Sequence, residues 1–143
     1  MKDANKVYAV IDTNVIVSAL LTSNKESNPY KVVNALNIGT IIPLYNDEIE
    51  TEYKRVLHYP KFNLTKDQIN IFILTLRKFG IKTKRTKVSD EKFSDKDDIV
   101  FYEVRMSVND SYLVTGNLKH FPQKPWVVTP TQMVEILKQM NLI

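Results

Sequence analysis

The sequence predicts an α/β fold whose parallel sheet is covered by helices on both faces. Short apolar runs recur along its 143 residues, at 6–11, 40–45, 111–115 and 126–128. Segments with helical apolar spacing lie between them. No repeat, low-complexity tract or interdomain linker interrupts this alternation. Alternating strands and helices build parallel sheets through right-handed crossovers. A chain of this length buries a core without disulfide or metal staples, and one domain is expected.

The elements follow in order. Residues 6–11 are almost continuously apolar, as in a strand buried on both faces. Asp12, Thr13 and Asn14 end that strand and supply a cap for a helix over 15–21. Residues 22–29 are polar and predict a loop, and 30–36 a helix. The second strand is 40–45, where Pro43 limits interior pairing. Asn46 or Asp47 caps a helix that runs to about His58, and Pro60 breaks it. Thr65 or Asp67 opens the next helix. Its residues Ile69, Phe72, Ile73, Leu76 and Phe79 keep helical spacing, and Gly80 is a natural stop. Residues 81–88 are strand-like and basic, and 89–96 form a polar loop. A helix over 97–108, a strand over 111–115 and a last strand over 126–128 follow. Thr129 opens a closing helix over 131–140, with Pro130 at its first position.

Hydrophobic residues make up 43% and charged residues 25%, the balance of a soluble globular protein. With no cysteine, a disulfide framework, a thiolate zinc site and a cysteine nucleophile are excluded. Asp12 interrupts the first apolar run, and no run is long enough to span a bilayer. Neither a signal peptide nor a membrane partner is expected, and a cytoplasmic location is. The formal net charge is +4, which favours polyanionic partners, although an ordinary lysine-rich surface explains it equally.

In open parallel sheets, sites form at the carboxyl ends of strands. Asp12 directly follows the first strand. Asn117 follows the strand at 111–115, with Gly116 allowing a sharp turn. Asp97 and Asp98 begin a helix, and such helix starts often lie at the same rim. Glu52 stands one turn after Glu48 and one turn before Val56, so it can point inward. Each has a plain alternative: a helix cap for Asp12, a solvated face for Glu52, a dipole partner for Asp97 or Asp98. Their combination points to chemistry. Convergent carboxylates repel one another and stay ionised only beside a cation. An oxygen-only set selects Mg²⁺ or Mn²⁺. Such ions activate water and stabilise in-line displacement at a phosphodiester, which fits a nucleic-acid substrate.

Four stretches carry a family resemblance. Ala9, Val10, Ile11, Asp12, Thr13 and Asn14, continuing to Leu20, resemble the opening of the PIN domain family. More narrowly, they resemble the branch of toxin components of toxin–antitoxin systems. Glu52, Tyr53, Lys54, Arg55, Val56 and Leu57, followed by Pro60, Lys61 and Phe62, are similar to that branch's second motif. Asp95, Lys96, Asp97 and Asp98, with Phe101 and Glu103, resemble its third. Thr115, Gly116, Asn117, Leu118, Lys119, His120, Phe121 and Pro122 belong to a stretch resembling its fourth.

The resemblance implies a three-layer α/β/α sandwich, a single PIN-like nuclease domain over 1–143, and Mg²⁺- or Mn²⁺-dependent cleavage of RNA. It maps an acidic quartet onto Asp12, Glu52, Asp98 and Asn117, with Asp12 and Asp98 as metal ligands. Asn14 and Thr115 match polar supporting positions. Helical spacing instead puts Asp97 on the core face with Phe101, Val104 and Val108. Many PIN domains carry aspartate at the position of Asn117; an amide ligates without charge, so a second ion should bind more weakly. An antitoxin partner and a homodimer are compatible with the resemblance.

The remaining features read as structural. His120, on a loop, is either a structural group or one that contacts phosphate or acts as a base. His58 suits a helix end. Along a strand, Lys82 and Lys84 would share one face, with Arg85 and Lys87 on the other. That suits a charged edge strand, or a patch that guides RNA. Trp126 suits the core or an interface. Met133, Ile136, Leu137 and Met140 suit packing or a dimer contact. Two other functions compete with a ribonuclease. One is a non-catalytic RNA- or protein-binding module on the same fold. The other is a haloacid-dehalogenase-like phosphatase, which usually has an aspartate where Asn14 stands.

Overall fold

The computed structural model describes residues 5–143. Residues 1–4 of the domain expected over 1–143 lie outside the described residues. Strand β1 is Val7–Ile11, followed by α1 (Thr13–Leu21), α2 (Asn28–Asn37) and β2 (Ile41–Tyr45). Next come α3 (Asp47–Leu57), a 3-10 turn (Pro60–Phe62), α4 (Lys66–Phe79) and β3 (Ile81–Lys82). The chain continues through α5 (Asp97–Met106), β4 (Tyr112–Val114), a second 3-10 turn (Leu118–His120), β5 (Val127–Val128) and α6 (Pro130–Gln139).

The five strands form one parallel sheet in the order β3-β2-β1-β4-β5, flanked by the helices as an α/β/α sandwich. β1 lies at the centre, with Val7 opposite Ile41 of β2 and Ile11 opposite Val114 of β4. The connections run one way from β1 to β2 and β3, and the other way to β4 and β5. The order therefore reverses between β1 and β4, and in open parallel sheets the crevice at such a point is where ligands bind. All five residues of β2 and Ala9, Val10 and Ile11 of β1 are buried, which explains their continuous apolar runs.

Local sequence explains the helix boundaries. Asn46 accepts from the Ile49 amide at 2.8 Å and caps α3. Thr65 with Gln68, and Thr129 with Gln132, form reciprocal capping boxes on α4 and α6. Ser27 caps α2 and Pro29 lies in its first turn, so that helix starts inside the segment expected to be loop. Gly80 ends α4 at φ −80, without a left-handed turn. Its role is close approach: a Cβ there would meet the Leu76 carbonyl oxygen at 2.3 Å and the Pro43 carbonyl oxygen at 3.0 Å.

Pro43 lies in β2, between β1 and β3, and limits its pairing as expected: β3 begins opposite Leu44, past the proline. The strand expected over 81–88 stops at Lys82. Beyond it, the side chains of Glu103 in α5 and of Ser107 just past its end satisfy the backbone. The Thr86 and Lys87 amides donate to the Ser107 hydroxyl at 2.9 and 3.2 Å, and the Ser89 amide to Glu103 Oε2 at 2.6 Å. The expected alternation of Lys82, Lys84, Arg85 and Lys87 over two strand faces is therefore not realised. Among the described residues no helix is long and apolar enough to cross a membrane.

Candidate active site

β1 delivers Asp12 to the carboxyl rim of the sheet, where it is 6% exposed. Its Oδ1 accepts from the Thr13 amide at 2.8 Å. Its Oδ2 accepts from the Thr115 hydroxyl at 2.7 Å and from the Asn14 side-chain amide at 3.2 Å. Asp12 does cap α1, but through the first helical amide, whereas ordinary caps reach the second or third. Its other oxygen is held toward the end of β4. Burial raises its pKa above the ordinary carboxylate range. The Thr115 and Thr13 hydrogen bonds and nearby His120 oppose that rise, and the Glu52 charge adds to it.

The fourth motif closes over this carboxylate. Asn14 Oδ1 accepts from the Gly116 amide at 3.0 Å, and a Cβ on Gly116 would crowd that oxygen at 3.1 Å. The Asn117 backbone amide donates to Thr115 Oγ1 at 3.0 Å. The Asn117 side-chain amide nitrogen lies 2.9 Å from His120 Nε2. An amide N–H donates, so this contact is a hydrogen bond when Nε2 carries the lone pair. Nδ1 faces Asp98 Oδ2 at 3.6 Å. The Asn117 amide oxygen, the atom able to ligate a cation, is left free of the histidine.

Asp98 is buried in the first turn of α5, whereas Asp97 is exposed and lies 3.6 Å from Arg55. The expectation from helical spacing that Asp97 would face the core is thus incorrect. Spacing failed here because residues 85–93 cover the outer side of α5. Val100, Phe101, Tyr102, Glu103 and Val104 are all buried, so the helix has no single apolar stripe. Burial, then the charges of Asp12 and Asp95, push the Asp98 carboxyl up to about 7, against the pull of His120.

Glu52 is also brought to this rim, close enough for its charge to act on Asp12. The buried Tyr53 hydroxyl donates to the Ile11 carbonyl, which pins α3 to the end of β1. Yet the Glu52 carboxylate is engaged by the Arg55 guanidinium, which also reaches the Tyr59 hydroxyl. The structure thus brings Asp12, Asp98 and Asn117 together around His120 and leaves Glu52 in an ion pair.

Two buried oxygens here have no hydrogen-bond partner: Asp98 Oδ2 and Thr13 Oγ1. An unsatisfied buried acceptor costs about 1–3 kcal/mol, a cost that a bound cation, a water or a proton would offset. Asp98 Oδ2, with the acidic Asp12 close by, fits a hard divalent cation held by two carboxylates. It does not fit a preformed cage. Among the described residues no group of three or more His, Cys, Asp or Glu is placed to hold a metal ion.

Sequence reasoning did not assign Tyr53 or Arg55 a role, and it left His120 undecided. The aromatic after Glu52 and the arginine three positions on were visible, but only the fold shows what each reaches. Glu103 was read only as part of a motif. It is a buried anchor, accepting from Arg85 Nε at 2.9 Å and from Arg85 Nη2 at 2.6 Å.

The switch point of this open parallel sheet thus brings the Asp12 and Asp98 carboxylates close enough for the charge of one to act on the other. A family model described as PIN domain matches residues 8–119, and the chain belongs to the PIN domain family. PIN domains are generally nucleases and typically use divalent metals. No curated protein and no solved structure matches the chain.

Proposed function

We propose that this protein is a Mg²⁺- or Mn²⁺-dependent endoribonuclease that hydrolyses RNA phosphodiester bonds. The observation that carries this reading is the unpartnered, buried Asp98 Oδ2 beside Asp12 at the switch point of a PIN domain. Asp12 and Asp98 would hold the cation, with Asn117 available through its amide oxygen. The cation would supply a nucleophilic water at neutral pH and neutralise charge on the phosphodiester. Thr115 and Asn14 fix the Asp12 carboxylate. Asn117 contacts the His120 ring, whose Nδ1 lies 3.6 Å from Asp98 Oδ2. Cleavage of RNA with Mn²⁺, wild type against Asp12→Asn, tests the reading. It stands if the variant loses activity and falls if both cut equally.

The motif likeness supports a narrower role as the toxin of a toxin–antitoxin pair, in the cytoplasm, with an antitoxin protein as partner. Induced expression should then arrest growth, and Asp12→Asn should relieve the arrest.

One observation favours a second reading, a non-catalytic RNA- or protein-binding module. Glu52 is already neutralised by Arg55, and Asn117 brings no charge. Calorimetric titration with Mn²⁺ separates the two. Metal affinity that disappears in Asp12→Asn supports the nuclease, and no affinity in wild type supports the module.

A further inference from the structure

The second motif ends in Pro60, Lys61 and Phe62, which, with the preceding Tyr59, the proposed chemistry does not use. Pro60 cannot extend α3, and the chain folds into a 3-10 turn instead. The Phe62 amide donates to the Tyr59 carbonyl at 3.0 Å, and the Asn63 amide to the Pro60 carbonyl at 3.1 Å. Asn63 closes the elbow in the left-handed region at φ 48. Asparagine is among the side chains that best tolerate that conformation. Two backbone hydrogen bonds thus hold the elbow.

The elbow presents two nearly parallel rings. Tyr59 and Phe62 have centroids 6.1 Å apart and planes inclined by 21°. Both are half-buried, and Phe62 also packs against the core. The exposed Lys61 ammonium lies 5.9 Å from the Tyr59 centroid and 5.2 Å from that of Phe62. Among the described residues no carboxylate pairs with Lys61. A ring face that a solvent-exposed lysine can reach is a face that a base can reach. The elbow also touches the candidate active site. The Arg55 guanidinium joins the Tyr59 hydroxyl to the Glu52 carboxylate and lies 5.8 Å from the Tyr59 centroid.

We propose that the elbow binds one nucleotide of single-stranded RNA beside the scissile phosphate, with its base stacked on the Tyr59–Phe62 pair and its phosphate on Lys61. Aromatic faces next to an unpaired cation match the two parts of a nucleotide, and stacking on them requires a base free of a duplex. This inference rests on the nuclease reading for its substrate but not on metal binding.

The elbow contains no acidic ligand, so its test is run on the full chain in EDTA, where metal-dependent cleavage is off. The probe is a fluorescein-labelled single-stranded oligoribonucleotide, followed by anisotropy. Tyr59→Ala is expected to weaken binding about tenfold, since stacking on one ring carries about that factor. Tyr59→Phe keeps the ring and is expected to stay within about twofold. Phe62→Leu keeps the packing but loses the π face, and is expected to weaken binding several-fold. Lys61→Gln is expected to flatten the salt dependence by a log–log slope of about 0.7. The duplex of the same sequence should bind without sensitivity to Tyr59→Ala.

Wild-type affinity in both Tyr59→Ala and Lys61→Gln would overturn the proposal and leave the elbow to packing or to a protein partner. So would failure of the wild type to bind the single strand, or a loss in Tyr59→Phe equal to that in Tyr59→Ala. Ring-dependent binding without any Mn²⁺-supported cleavage would overturn the nuclease reading alone. Cleavage with no ring dependence of binding would overturn the elbow alone.

Discussion

The Thr115 hydroxyl donates to Asp12 Oδ2 at 2.7 Å, joining the ends of β4 and β1 across the switch point of the sheet. Both residues are buried, and this bond is the largest influence holding the Asp12 carboxyl down against its burial. Thr115→Val keeps the shape and removes the donor. It is expected to cost about 1–3 kcal/mol in urea unfolding and to weaken Mn²⁺ binding in calorimetry. Thr115→Ser should restore both. A valine variant with wild-type stability and metal affinity would show that the bond positions nothing.

The raised pKa of Asp98 makes stability depend on pH in a specific direction. Its ordinary value is 3.8 and its folded value about 7. Between these, the folded state binds more protons than the unfolded state, so stability falls as pH rises. The contribution is fully present below 3.8 and is lost as pH passes through about 7. In EDTA, wild type should therefore lose more thermal stability from pH 5 to pH 8 than Asp98→Asn, whose side chain stays neutral. Mn²⁺ binding at pH 6 should release about one proton, since a ligating carboxylate must ionise. Parallel pH curves for the two proteins would contradict the assignment.

Arg55 competes with any cation for Glu52. Arg55→Gln frees that carboxylate next to Asp12 and should tighten Mn²⁺ binding at least about fivefold. That is the effect of roughly 1 kcal/mol from one added charge at contact distance in water. The gain should vanish in the double variant with Glu52→Gln. Unchanged affinity in Arg55→Gln would mean that Glu52 stays out of the metal's reach.

Glu103 is expected to be structural. It is 4% exposed and holds the 85–89 segment through Arg85 and the Ser89 amide. Glu103→Ala leaves a guanidinium and an amide without their acceptor, at an expected cost of about 2–4 kcal/mol in denaturant unfolding. Metal affinity per folded molecule should be unchanged. A loss of metal binding without a loss of stability would place Glu103 in the site instead.

What could be read from the residues divides along physical lines. Asp12 and Asn117 could be placed because each follows a strand, and strand ends in a parallel sheet share one rim. The parallel sheet itself followed from alternation. The strand over 81–88 failed because its backbone is satisfied by Ser107 and Glu103, partners that no local pattern announces. The choice between Asp97 and Asp98 was ambiguous because α5 is buried nearly all round. The Glu52–Arg55 pair was unreadable for another reason. Their three-residue spacing permits an ion pair as readily as an inward-facing acid, and only the surrounding charges decide.

The central claim is that Asp12 and Asp98 jointly hold one divalent cation. Diffraction from crystals of the wild-type protein soaked in Mn²⁺, read through the anomalous signal, tests it most directly. The expected result is one strong peak bonded to carboxylate oxygens of both Asp12 and Asp98, with any second peak weaker. A peak that avoids these two side chains, or none at millimolar Mn²⁺, would contradict the account.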